Sequence, residues 1–413
     1  MNNQTNKLIP ELRFPEFAND GEWVEKPLNK LGKLINGLTY SPNDVSESGL
    51  LVLRSSNIQN GQIVLNDCVY VKPDIKGANL TQTDDILVCI RNGSKSLIGK
   101  NAIIPKDIPL ATHGAFMTVF RAENPKFVFQ LFQTDTYNNQ VNADLGATIN
   151  SINGGNFLKY KFIVPKPKEQ QKIASCLSSL DKVIAAHSQK LDTLKTHKKG
   201  LMQNLFPKEG ETIPKWRFPE FEEDGDWVEK NLGEIAAFVN EKTQLENLSI
   251  NTYISTENLL PDYTGVSISS RLPASGNFTK YRKGDVLISN IRPYLKKVWF
   301  ADKEGACSND VIVIQAKSVV TDTFLSCVLK NDAFINYIMK GAEGIKMPRG
   351  DKDSIREYPI LFPKEKGEQQ KIASCLSSLD ELITAQAEKI EQLKLHKKGL
   401  MQGLFPFDQS LRT

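Results

Sequence analysis

Two mixed α/β (α+β) globular heads, joined by two long antiparallel coiled-coil helices in a pseudo-two-fold tandem repeat, is the fold this sequence predicts. Three observations carry that expectation. The thirteen residues EQQKIASCLSSLD at 169–181 return unchanged at 368–380, and each copy is followed by HKKGLMQ. RFPEF stands at 13–17 and 217–221, followed by GEWVEKPL at 21–28 and GDWVEKNL at 225–232. Between these repeats lie two dissimilar bodies that read as short strands and helices.

The chain has 413 residues, 40% hydrophobic and 24% charged, which suits a folded protein of two or more domains. The repeats divide it into an opening motif with a first head (1–166), a first spacer helix (167–206), a linker with the second opening motif (207–227), a second head (228–364), and a second spacer helix with a tail (365–413).

The spacer helices are legible from a heptad. Apolar residues fall at Ile173, Leu177, Leu180, Ile184, Leu191, Leu194, Leu201 and Leu205, and again at Ile372, Leu376, Leu379, Ile383, Ile390, Leu393, Leu400 and Leu404. His187 and Lys198 fill the gaps in the first seam, Gln386 and Lys397 those in the second. An alternating four-three spacing is a coiled-coil seam, and polar seam residues fix its register. A helix of about 38 residues spans roughly 57 Å at ~1.5 Å per residue. If the two seams pair within the chain, the second helix runs back toward the first head and the pair is antiparallel.

In the first body the strand-like runs are LLVLRSSNI (50–58), DILVCIR (85–91), FMTVFRA (116–122) and YKFIVP (160–165). In the second they are DVLISNIR (285–292), KKVWFAD (296–302), DVIVIQAK (310–317) and YPILFP (358–363). Helical stretches are expected near 126–144 and 321–340. DDILVCIR aligns with GDVLISNIR, so the heads share a frame and differ in their loops.

Those loops are polar and basic. The first head offers Arg54, Ser55, Asn57, Arg91, Asn92, Ser94, Lys95, Lys100 and Asn150; the second offers Lys280, Arg282, Arg292, Tyr294, Lys296, Lys297, Lys346 and Arg349. Arg, Lys, Asn and Ser are the side chains that meet phosphates and base edges, so these are the candidate DNA-binding residues. Arg91, Asn92, Arg292 and Tyr294 are expected nearest the bases. The net charge of +4 adds little, because local patches matter more than the total.

Catalytic signatures are missing. GSKSLIGKN (93–101) has five residues between its glycines and Asn101 where a phosphate loop has Ser or Thr, so it reads as a turn. No G-x-G-x-x-G follows a strand, and no H-E-x-x-H, G-x-S-x-G or Asn-Pro-Pro-aromatic run appears. The four histidines, His113, His187, His197 and His396, have no zinc spacing, and His113 reads as structural or DNA-contacting. Six cysteines without a C-x-x-C pair suit a reduced, cytoplasmic protein. No secretory signal and no membrane span are expected.

A variable body followed by a near-identical helix, twice over, closely resembles the specificity (S) subunit of type I restriction-modification systems. The RFPEF…W motifs, the P-K…E-Q-Q-K-I-A helix starts and the K-K-G-L-M-Q-x-L-F helix ends carry the resemblance, which covers essentially the whole chain. It implies two target recognition domains, each reading one half of a bipartite sequence in double-stranded DNA, with the helices setting the gap. It implies two methyltransferase (M) subunits that bind S-adenosylmethionine and methylate adenine N6, and restriction (R) subunits that use ATP and Mg²⁺ to translocate and cleave. No cofactor and no catalysis belong to this chain on that view, and its location is the bacterial or archaeal cytosol, at the nucleoid. The competing expectation is a duplicated coiled-coil protein–protein adaptor that binds no DNA.

Overall fold

The computed structural model describes residues 8–145, 150–342 and 348–406. Its contacts divide the chain into two compact units, Met1–Ala186 with Ile390–Thr413, and His187–Lys389. The linear boundaries give the order of elements, but compactness cuts elsewhere. Each unit takes the first half of one long helix and the last half of the other. Nor is 207–227 a bare tether: Trp227 is buried and packs edge-on against Phe206 and Phe324.

The opening motif is a clamp on a helix start. In the first unit Arg13 donates from Nε and Nη2 to the Glu169 carboxylate at 2.9 and 2.8 Å, with both side chains nearly sealed from water. Glu16 pairs with Lys172 at 2.8 Å, and the same ammonium lies 5.4 Å over the Phe14 ring. In the second unit Arg217 grips Glu368 at 2.8 and 2.7 Å, Glu220 pairs with Lys371, and Lys371 lies over Phe218. A buried carboxylate needs matched donors, and the guanidinium fork supplies two parallel ones. RFPEF and EQQK therefore repeat together because they are two halves of one contact.

The long helices run Pro167–Leu205 and Lys366–Leu404. In the first unit Ile173 and Leu177 share a core with Leu400, Leu404 and Phe405, and Lys397 meets Asp181 at 2.6 Å. As one segment advances its neighbour recedes, so these two segments are antiparallel. In the second unit Ile372 and Leu376 share a core with Leu201 and Met202, and Lys198 meets Asp380 at 2.6 Å. There the Gln386 amide donates to His187 Nδ1 at 2.7 Å and to its carbonyl at 2.8 Å. Ile173, Leu177, Ile372, Leu376, Leu379 and Ile390 are buried; Leu180, Ile184, Leu191, Leu194, Ile383 and Leu393 are half-buried. The polar seam residues are the ones that pair.

Each head is built on the same four-stranded antiparallel sheet. Its order is Gly32–Asn36, Met117–Ala122, Ile86–Cys89, Asn101–Ile103 in the first unit. In the second it is Ala236–Phe238, Val311–Ala316, Val286–Ser289, Val298–Phe300. A two-stranded ribbon, Val24–Pro27 with Lys161–Val164 or Val228–Asn231 with Pro359–Phe362, ties each opening motif to the strand before its helix. The second sheets differ. Both contain one parallel pair, Leu50–Leu53 with Ala111–His113 and Tyr253–Ile254 with Gly305–Cys307. The next strand joins Leu50–Leu53 in the first head but Gly305–Cys307 in the second.

Several expected elements are corrected. The run 50–58 is a strand over Leu50–Leu53, then a 3-10 turn, Ser55–Asn57, and at Ile58 it enters a second short strand, Ile58–Gln59. The helical stretches are each two helices: Pro125–Leu131 and Asp135–Asp144, then Asp322–Leu329 and Asp332–Lys340. Thr134 and Asn331 accept backbone N–H bonds at the second starts, and such caps restart a helix.

Candidate nucleic-acid interface

In the first head three polar loops converge. Asn92 Nδ2 donates to Ser55 Oγ at 3.1 Å, joining the loop after Leu50–Leu53 to the loop after Ile86–Cys89. Arg91 forms a bridge with Ser151, and Asn150 Nδ2 donates to the Gly93 carbonyl at 3.1 Å. Arg91 is exposed and lies 5.7 Å over the ring of Phe116, itself 58% exposed. Ser94 and Lys95 are exposed beside it, and Lys100 is half-buried where its carbonyl accepts from the Cys89 N–H. Arg54 is held by Asp67 at 2.8 Å.

Asn57 is a correction. It is fully buried, accepts from the Arg54 N–H and donates to the Val64 and Asp67 carbonyls. Its amide is consumed in shaping the turn, so it has nothing to offer DNA. Asn92 also spends itself locally, on Ser55 and on the Ser94 N–H, and organises the loop that presents Arg91. His113 is fully buried with Nε2 on the Ile35 carbonyl, a structural role.

In the second head the matching strand end is followed by a strained turn. Arg292 and Lys296 both have left-handed φ, 52° and 54°, on either side of the 3-10 turn Pro293–Leu295. Non-glycine residues held there cost about 1–3 kcal/mol each, and such strain gathers at functional loops. The loop around Asp262 props the turn, since Asp262 and Tyr263 N–H groups donate to the Leu295 and Lys296 carbonyls. Tyr294 is left 49% exposed at the tip. Arg349 bridges to Ile291 and pairs with Asp310 at 3.3 Å. Lys297 donates to the Thr256 carbonyl; burial pushes its pKa down, Glu257 opposes this and the positive charge of Arg292 adds to it. Lys296 is held by Asp332 at 2.8 Å.

Not every candidate joins these clusters. Lys280 and Arg282 both go to Glu241, at 2.7 and 3.4 Å, on the second sheet. Lys346 lies outside the described residues. Sequence reading missed Phe116, which looks like an ordinary strand residue until its strand is seen to begin at Met117. It also missed Lys242, Asn309 and Arg356, which line one cleft in the second head with Lys352. Among the described residues no group of three His, Cys, Asp or Glu side chains converges as a metal site, and no helix is long and apolar enough to cross a membrane.

The family model of the type I restriction modification DNA specificity domain matches residues 20–196 and 224–395, which include both loop clusters. The chain belongs to that family. Specificity domains therefore occur twice in it, each with its own head and most of the long helix that follows. Among curated relatives, the StySPI specificity subunit of Salmonella potsdam is 30% identical over 38% of this chain, a match spanning only 36% of that relative. The putative MjaX specificity subunit of Methanocaldococcus jannaschii is 27% identical over 93% of this chain and 92% of its own length. Among solved structures, the type I restriction-modification S subunit of M. genitalium shares the fold at a TM-score of 0.63, with 18% identity over 97% of this chain and all of that one.

Proposed function

We propose that this chain is the sequence-reading, non-catalytic subunit of a type I restriction-modification complex, and that each head reads one half of a bipartite target. The observation that carries the reading is a pair of basic loop clusters, each built at the end of the same strand of the same sheet but from different residues. Arg91 beside Phe116 and Arg292 beside Tyr294 are the side chains best presented for base edges. Identical helices with unlike heads suit a common spacer between two independent readers. Half-sites about one helical turn apart, roughly 34 Å, turn the same face of DNA toward both.

On this reading the paired helices form a coiled-coil spacer, and their repeated outer faces dock two M subunits. Those subunits supply the S-adenosylmethionine site, and R subunits supply the ATP- and Mg²⁺-dependent steps. Adenine N6 is reached by flipping the base into a partner's pocket, so this chain needs only to hold and read.

The test is methylome sequencing of cells expressing the chain with its methyltransferase subunit. The expected result is a bipartite motif with N6-methyladenine on both strands, changed on one side only when residues 24–166 are exchanged. An assembled, methyl-donor-bound complex that methylates nothing would instead favour the adaptor without DNA binding.

A further inference from the structure

We propose that a cleft in the second head, distinct from its basic loop cluster, seats one phosphodiester of the DNA backbone. The inference rests on the DNA-reading function and adds a contact that the loops do not supply. The cleft encloses about 430 Å³, and Lys242, Lys352, Arg356, Asn240, Asn277 and Asn309 give it its polar character. Lys242 and Asn277 come from neighbouring strands of the second sheet, whereas Lys352 and Arg356 come from the short helix Lys352–Arg356. No carboxylate is among the described residues lining it.

Lys242 Nζ donates at 2.9 Å to Thr279 Oγ1 and to Asn309 Oδ1, both neutral, and an ammonium has a third proton to give. Arg356 is fixed by the Phe238 ring 4.8 Å away and pairs with the exposed Asp353 at 2.6 Å, which offsets part of its charge. Lys242 and Lys352 both oppose the rise that burial forces on the Cys307 thiol, whose pKa is pushed up to about 12. Lys242 from the sheet and Lys352 from the helix thus line one cleft together with the asparagine amides. Two lysines in a cleft whose described lining holds no carboxylate are complementary to an anion.

The duplex is the anion that fits the location. Asn309 in the cleft is followed by Asp310, which holds Arg349, and Arg349 bridges to Ile291 beside Arg292. One residue therefore separates the cleft from the loops assigned to base reading. Phosphate contacts position a protein on DNA without reading sequence, and a seat beside the reading loops fixes their depth in the groove. The first head lacks the device: its equivalent short helix, Gly154–Phe157, reads GGNF and carries no cation.

The test uses the full chain assembled with its methyltransferase subunits. Binding to a cognate duplex is measured from about 50 to 200 mM salt, where each phosphate contact contributes about 0.9 to the slope of log affinity against log salt. The double variant Lys242→Gln, Lys352→Gln is expected to bind more weakly, with its slope reduced by about 0.9 and its recognised sequence unchanged. Lys242→Arg, Lys352→Arg is expected to keep the slope. Lys352→Gln alone changes an exposed side chain and keeps the test readable if the double variant folds poorly. An unchanged slope in a complex that still prefers its sequence overturns the cleft and leaves the DNA-reading function standing. A wild-type complex without sequence preference overturns both.

Discussion

Lys198 Nζ stands 2.6 Å from Asp380 Oδ1, and Lys397 makes the same contact with Asp181. The two lysines hold one place in the copies of HKKGLMQ, and the two aspartates one place in the copies of EQQKIASCLSSLD. Each helix carries both halves of the pair, yet they lie about 25 Å apart along its axis at ~1.5 Å per residue. Neither copy satisfies itself; each needs the other. Lys198→Glu is expected to destabilise the fold by about 1–2 kcal/mol, and adding Asp380→Lys to recover about 1 kcal/mol of it. Denaturant unfolding of the four proteins in the cycle reads this directly. Strict additivity would mean that the contact sets no register.

The Arg217–Glu368 clamp is far more buried, with side chains 7% and 1% exposed. Glu368 also takes the Trp227 indole N–H at 3.3 Å. Arg217→Ala leaves a buried carboxylate without its main partner and is expected to cost about 3–5 kcal/mol. Arg217→Lys should recover only part, because a point charge cannot make both parallel bonds. Thermal melting of the two variants beside wild type checks the order.

His113 gives the fold an acid limit. Burial lowers its pKa below the ordinary 6.5, against a smaller opposing effect from its bond to the Ile35 carbonyl. The unfolded chain therefore binds a proton that the folded head refuses. The contribution is intact above pH 6.5 and is lost as pH falls below it, with a slope approaching about 1.4 kcal/mol per pH unit. His113→Gln should flatten the pH dependence of unfolding below pH 6.5. An equally steep profile in the variant would place the titration elsewhere.

Arg91→Ala is expected to relax recognition in one half of the target only, by about 1–3 kcal/mol for the affected base pair. Methylome sequencing of the variant should show degeneracy on that side and an unaltered partner half. Loss of both halves together would mean that Arg91 supports assembly rather than reading.

If the helices are a spacer, their length sets the gap. One heptad inserted after Lys190 and one after Lys389 keeps the seam in phase and adds ~10 Å at ~1.5 Å per residue. The recognised gap should widen by about three base pairs, at roughly 3.4 Å each, while both halves of the motif stay the same. A constant gap would remove the ruler.

Much of the scaffold could be read from the letters. All sixteen apolar positions of the two heptads are buried or half-buried, and the polar residues in their gaps, His187, Lys198, Gln386 and Lys397, make side-chain contacts between helix segments. The candidate interface was less legible, for physical reasons. Asn57 and Arg91 look alike as polar loop residues, yet three internal bonds bury one while an aromatic ring displays the other. Lys242 and Lys352 are far apart in the chain, and only sheet pairing and a short helix bring them to one cleft. Short strands such as Tyr253–Ile254 left no periodicity to detect, because two residues cannot show alternation.

Trp23 and Phe127 pack against Phe405, so the core of the first head is closed by residues near the far end of the chain. A ribosome makes them in the opposite order. At about 5–20 residues per second, roughly 20–80 s separate the synthesis of Trp23 from that of Phe405. Through that interval the nascent first head exposes an apolar face meant for a helix that does not yet exist. The head born first is the head finished last. A frameshift or early stop ahead of the codon for Phe405 would thus damage the first head, and chaperone demand should peak before Phe405 is made.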